Sequence, residues 1–148
     1  MLLSRWKCLL ALCVVPLACH EAVVAPGVGA YYTLQSVGGE QPPVVISASP
    51  GDTTTVFGST VSLGPFGEAQ IFERIRYVHP GVAPAVVETT TDLTYVITGD
   101  VVQFAYKCPI DAICVAGPVG KLSGLTLTLT YGDPPYRPPF VYFHPAPD

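Results

Sequence analysis

From Ala30 onward the apolar and polar residues of this chain alternate with a period of two, and no stretch shows the three-and-four spacing of an amphipathic helix. AYYTLQSV alternates, and GGEQPP interrupts it. VVIS follows, then ASPGD as a turn. TTTVFGSTVSL is rich in β-branched residues, with Gly58 placed for a bulge or a turn. GPFGE turns the chain again, and AQIFERIRYV reads as a long strand stopped by His79-Pro80-Gly81. VVETTTDLTYVI and VVQFAYK form a hairpin across Thr98-Gly99-Asp100. A cysteine loop follows, then VGKLSG, LTLTLTY, the interruption GDPPYRPP and the closing FVYF. VAPAVVE, Val82 to Glu88, has room for one helical turn, and Pro84 argues against more.

Alternation also assigns faces. In LTLTLTY, Leu125, Leu127, Leu129 and Tyr131 share a dry side, and Thr126, Thr128 and Thr130 share a wet one. Val102, Phe104 and Tyr106 likewise oppose Val101, Gln103, Ala105 and Lys107. In AQIFERIRYV the two arginines, Arg74 and Arg76, mark the solvent side. Glu73 then points inward with Ile71, Ile75 and Tyr77. A buried carboxylate is costly unless paired or protonated. Either Glu73 is the polar contact of a ligand cavity, or it sits at a barrel mouth or beside a bulge that swaps the register. Short strands joined by hairpin-sized gaps make an all-β antiparallel meander, closing into a small barrel or packing as a sandwich. Burial of each large side chain contributes roughly 1.5–3 kcal/mol, enough for a few such stripes to hold the domain.

The first residues depart from this pattern. Arg5 and Lys7, then the apolar stretch Cys8–Leu17, read as an export signal over residues 1–18. The apolar run falls short of the roughly 20 residues that span a bilayer. Leu17-Ala18-Cys19 resembles a lipoprotein signal, in which the chain is cut before the cysteine and that cysteine is acylated; Pro16 departs from the usual leucine. Ordinary secretion with loss of the signal is the alternative. Residues 19–29 read as a tether, 30–144 as the β domain, and 145–148 as a tail.

Charge and cysteine content narrow the function. Residues 1–18 carry two of the seven basic residues and none of the acidic ones, so the remainder holds five basic against eleven acidic side chains, net −6. Such a surface disfavours nucleic acid. Cys108 and Cys114, in KCPIDAICV, close a short loop and in an oxidising compartment form a disulfide. Zinc would need three or four ligands, and His20, His79 and His144 are scattered. There is no nucleophile elbow, no phosphate loop and no arguable triad, and Asp92 and Asp100 read as solvated loop charges. The chain is therefore read as non-enzymatic, without cofactor or metal. Glu73, Tyr77, Tyr95 and Tyr106 are the candidate ligand-binding residues, with cross-strand packing as the plainer reading of the tyrosines.

Three pieces taken in order resemble a group of small bacterial envelope lipoproteins with a lipocalin-like domain. The first is Tyr32, Leu34, Val37 and Gly38 followed by Pro42-Pro43; the second is Tyr95, Ile97, Gly99, Asp100 and Phe104. The third is Gly120, Leu122, Gly124, Leu127 and Leu129, with FVYF after it. The resemblance covers about residues 30–143. The sequence lacks the Gly-x-Trp of better-known lipocalins, since its one tryptophan is Trp6. The resemblance implies a barrel tied to a membrane of the cell envelope, at the outer membrane or the periplasmic face, or secreted if Cys19 is unmodified. It further implies a binding module for a hydrophobic small molecule or lipid. The alternative is an interaction protein with a filled barrel that presents loops such as GDPPYRPP to a protein partner.

Overall fold

The computed structural model describes residues 29–109, 115–132 and 137–145. Nine strands form one antiparallel sheet: β1 (Ala30–Val37), β2 (Val44–Ser49), β3 (Asp52–Leu63), β4 (Glu68–His79), β5 (Val82–Thr98), β6 (Val101–Tyr106), β7 (Ala116–Ser123), β8 (Thr126–Thr130) and β9 (Phe140–Phe143). Neighbours follow chain order from β3 to β9, β9 pairs β1, and β1 pairs β3. Eight strands thus close into a barrel, consistent with a lipocalin-like fold, and β2 is an extra strand outside the ring.

Closure depends on β3 serving two partners. Its second half, Thr60–Leu63, pairs β1, while its first half, Asp52–Val56, pairs β2. The sequence break GGEQPP makes this possible. Gly38 and Gly39 take positive φ and Val37 pairs back to Glu40, so the chain leaves β3 and returns to it lower down. The bulge between Val56 and Gly58, at Phe57, falls at the handover between the two partners. Such bulges bend a strand and increase its twist, which helps a sheet curl shut.

Inward positions of the barrel strands form the core. Tyr32, Val61, Leu63, Leu93, Val102, Leu127, Leu129, Phe140 and Tyr142 are all but inaccessible to solvent. Gly120 lies among them because a side chain there would press on Leu127, Leu129 and Phe104. Most of the barrel interior is therefore filled by side chains. The inward assignments of Ile71, Ile75, Val102, Phe104, Leu127 and Leu129 match burial.

Two local expectations differ from the structure. Leu125 is 43% exposed, because Ser123 pairs Thr126 and Gly124-Leu125 forms the two-residue turn between β7 and β8. The VAPAVVE segment carries no helical turn. It opens β5, since β4 is long enough to offer it a ladder from Tyr77↔Ala85 onward. β5 meets β6 only from Leu93 to Thr98, so the far half of the β4–β5 hairpin extends past the barrel as an arm.

Candidate functional site

The barrel end beneath this arm is not filled. A cavity of about 280 Å³ opens there, walled by Ile71, Leu93, Tyr106, Val115, Ala116, Pro118 and Tyr131. Glu73 and Arg137 supply its charged groups. Its position follows from strand lengths: β6 and β8 end at this mouth, and β7 and β9 begin there.

Glu73 sits on the inward face of β4 between Ile71 and Ile75, with its side chain only 12% exposed. Burial raises the carboxyl above its ordinary value, and the Arg137 guanidinium opposes that rise. Arg137 Nη1 lies 3.4 Å from Glu73 Oε1. The same guanidinium stacks over the Tyr131 ring, 5.2 Å from its centre. The pairing is loose for a charge-assisted bond, which is typically 2.7–2.9 Å.

Below the pair, a polar chain runs into the core. The Ser59 hydroxyl donates to the Phe72 carbonyl at 2.7 Å, so the Tyr142 hydroxyl, 3.0 Å away, donates to Ser59. Burial is the main cause that pushes both the Tyr131 and Tyr142 hydroxyls far above the ordinary phenol value, and the negative charge of Glu73 adds to it. Both phenols are therefore neutral donors at physiological pH. Tyr131 meets Phe140 edge-on at 5.5 Å, fixing one wall of the mouth.

Of the residues singled out from sequence, Glu73 and Tyr106 line this cavity. Tyr77 is on the arm, 36% exposed and stacked on His79. Tyr95 lies toward the opposite end, where its hydroxyl donates to the Gly64 carbonyl at 2.8 Å and its ring packs on Phe104. Cys19 and Cys114 fall outside the described residues. Cys108 lies just past the end of β6. The sequence reading missed Arg137 and Ser59 as members of the site; Tyr131 and Tyr142 were among the tyrosines that could line a cavity, but were not among the candidate residues selected from them. One signal pointed to Arg137: an inward carboxylate needs a cation, and Arg137 stands between prolines immediately before an aromatic strand.

Among the described residues no group of three His, Cys, Asp or Glu is placed to hold a metal ion, and no helix is long and apolar enough to cross a membrane. The fold and site together define a closed eight-stranded barrel, largely filled by side chains and open at one end into a small cavity with a partly buried ion pair. No protein-family model, curated protein or solved structure matches this chain.

Proposed function

We propose that this protein is a non-enzymatic binding module of the cell envelope, held at a membrane through lipid on Cys19 and stapled by a Cys108–Cys114 disulfide. Its ligand is a small amphipathic molecule, or the end of a lipid, seated in the mouth beside Glu73. The cavity with the loosely paired Glu73 and Arg137 at its side is the observation that carries this reading. At about 280 Å³ it lies just below the roughly 300–1,000 Å³ of drug-sized pockets, so a whole lipid is too large for it. Apolar walls take the greasy part of the ligand, and Glu73, Arg137, Tyr106 and Tyr131 fix its polar group.

Native mass spectrometry of the purified chain tests the binding. A bound small molecule is expected on the wild type and lost in Glu73→Gln. A wild-type mass with no adduct, under conditions that preserve the fold, counts against a resident ligand. Anchoring is tested separately: Cys19→Ala should abolish palmitate labelling and move the protein out of the membrane fraction, and continued labelling refutes the anchor. The side-chain-filled half of the barrel, with Tyr32, Phe140 and Tyr142 fully buried, favours a second reading as an interaction protein that presents its surface to a partner.

A further inference from the structure

The hydroxyl chain beneath the cavity runs in one direction, and that direction decides what the mouth offers a ligand. The Phe72 carbonyl only accepts, so the Ser59 proton goes to it at 2.7 Å. Ser59 therefore accepts from the Tyr142 hydroxyl, 3.0 Å away. Tyr142 has the Tyr131 hydroxyl as a further hydrogen-bond partner, and with its own proton given to Ser59 it accepts from Tyr131. Each hydroxyl thus hands its proton inward. Ser59 and Tyr142, 3% and 0% exposed, are shielded from water that would compete for these bonds. Tyr131 is the outermost member and lines the cavity. With its proton spent inward, its oxygen turns only lone pairs to the mouth.

Glu73 stands directly across the β3–β4 ladder from Ser59 and accepts as a carboxylate. Arg137 donates, with N–H groups beyond the one aimed at Glu73 Oε1. The hydroxyls of Thr91 and Tyr106, also on the lining, rotate to serve either role and do not decide it. Glu73 and Arg137 also cancel each other's charge. An anionic head group would meet the lone pairs of Glu73 and Tyr131, and a cationic one would meet the guanidinium. Either would leave a partly buried charge uncompensated, which is costly. We infer that the cavity selects a neutral head group that donates one proton and accepts another, as an aliphatic alcohol does. The inference rests on the ligand reading of the cavity given above. The ligand hydroxyl donates to Tyr131 Oη or to Glu73 and accepts from Arg137, while its chain lies on Ile71, Leu93, Val115 and Pro118.

Isothermal titration of the purified chain at mildly alkaline pH, which keeps Glu73 ionised, compares probes of like length: n-heptanol, methyl hexyl ether, heptanoate and heptylammonium. The alcohol should bind most tightly. The ether accepts but cannot donate, so it leaves a buried acceptor unmet and should bind about tenfold more weakly or worse. Heptanoate and heptylammonium should be weaker than the alcohol as well. Tyr142→Phe keeps the ring but breaks the hydroxyl chain, so the Tyr131 proton loses its inward acceptor and turns to the mouth. In that variant the alcohol's preference over the ether should shrink several-fold, whereas a merely loosened core would weaken both probes together. An ether that matches the alcohol on the wild type, or a charged probe that exceeds it, overturns the head-group inference and leaves the ligand site standing. A preference unmoved by Tyr142→Phe in a natively folded variant overturns the direction of the chain, and the inference with it. If no probe binds a wild type with its β circular-dichroism spectrum intact, the ligand reading itself falls, and this inference falls with it.

Discussion

Glu73 shows how one residue's surroundings set its charge. Burial is the larger influence on its carboxyl and Arg137 the smaller, so its proton is held more tightly in the folded chain than in the unfolded one. The consequence for stability has a definite sign. Below about pH 4.5, the ordinary value, both states hold the proton and Glu73 contributes no pH dependence. As pH rises above that value the unfolded chain releases its proton first, and the folded state loses stability until its own raised pKa is passed. Each tenfold difference in proton affinity is worth about 1.4 kcal/mol. Glu73→Gln removes this slope while keeping the side chain's size. In urea unfolding at a series of pH values, the wild type should therefore lose stability relative to Glu73→Gln as pH rises from about 4.5 toward neutrality. The opposite trend would mean that Arg137 outweighs burial and that the pair is a net stabiliser.

Single strands were largely legible from period-two patterning, because burial in a closed sheet follows alternation so long as the strand continues. β8 marks the limit of that rule. Leu125, Leu127 and Leu129 look equivalent in LTLTLTY, yet the strand begins at Thr126 and Leu125 belongs to the turn. The chain needed two residues to reverse between Ser123 and Thr126, and Gly124 at φ +58° supplied the first of them. Turn geometry overrode the pattern. Leu127→Ala should destabilise by about 2–5 kcal/mol, since its side chain is wholly enclosed by the barrel. Leu125→Ala should stay within about 0.5 kcal/mol of the wild type, as surface substitutions do. Chemical denaturation of the two variants separates them, and equal losses would place Leu125 in the core after all. The reversal at Val82–Glu88 has a similar cause. Pro84 limited the expected helix to one turn, but in a strand its missing N–H, at a position that points away from β4, costs no ladder bond.

At the scale of the whole molecule, the pattern of strands cannot show which one closes the ring or where the barrel stops being filled. Both depend on pairings between residues far apart in sequence: Thr33 with Phe143, and Glu73 with Arg137. Closure rests on β9, four residues long, which bonds β8 on one side and β1 on the other and places Phe140 and Tyr142 in the core. The arm is the reverse case, since every residue from Val82 to Thr90 is exposed. Stability should therefore be graded along the molecule. An amide in a closed, buried ladder exchanges its hydrogen only when the whole domain opens, at the full unfolding free energy of about 5–15 kcal/mol. An amide in a thinly packed, solvated ladder exchanges through local opening at much lower cost. Hydrogen exchange followed residue by residue should place the β9 amides bonded to β8 and β1 in the slowest class. The odd-numbered β5 amides from Ala85 to Thr89, although bonded to β4, should exchange at least a hundredfold faster, a gap of about 2.7 kcal/mol by the usual tenfold per 1.4 kcal/mol. Arm amides as slow as those of β9 in dilute solution would mean that the hairpin is held by contacts beyond its ladder with β4, and that the barrel and its extension open as one unit.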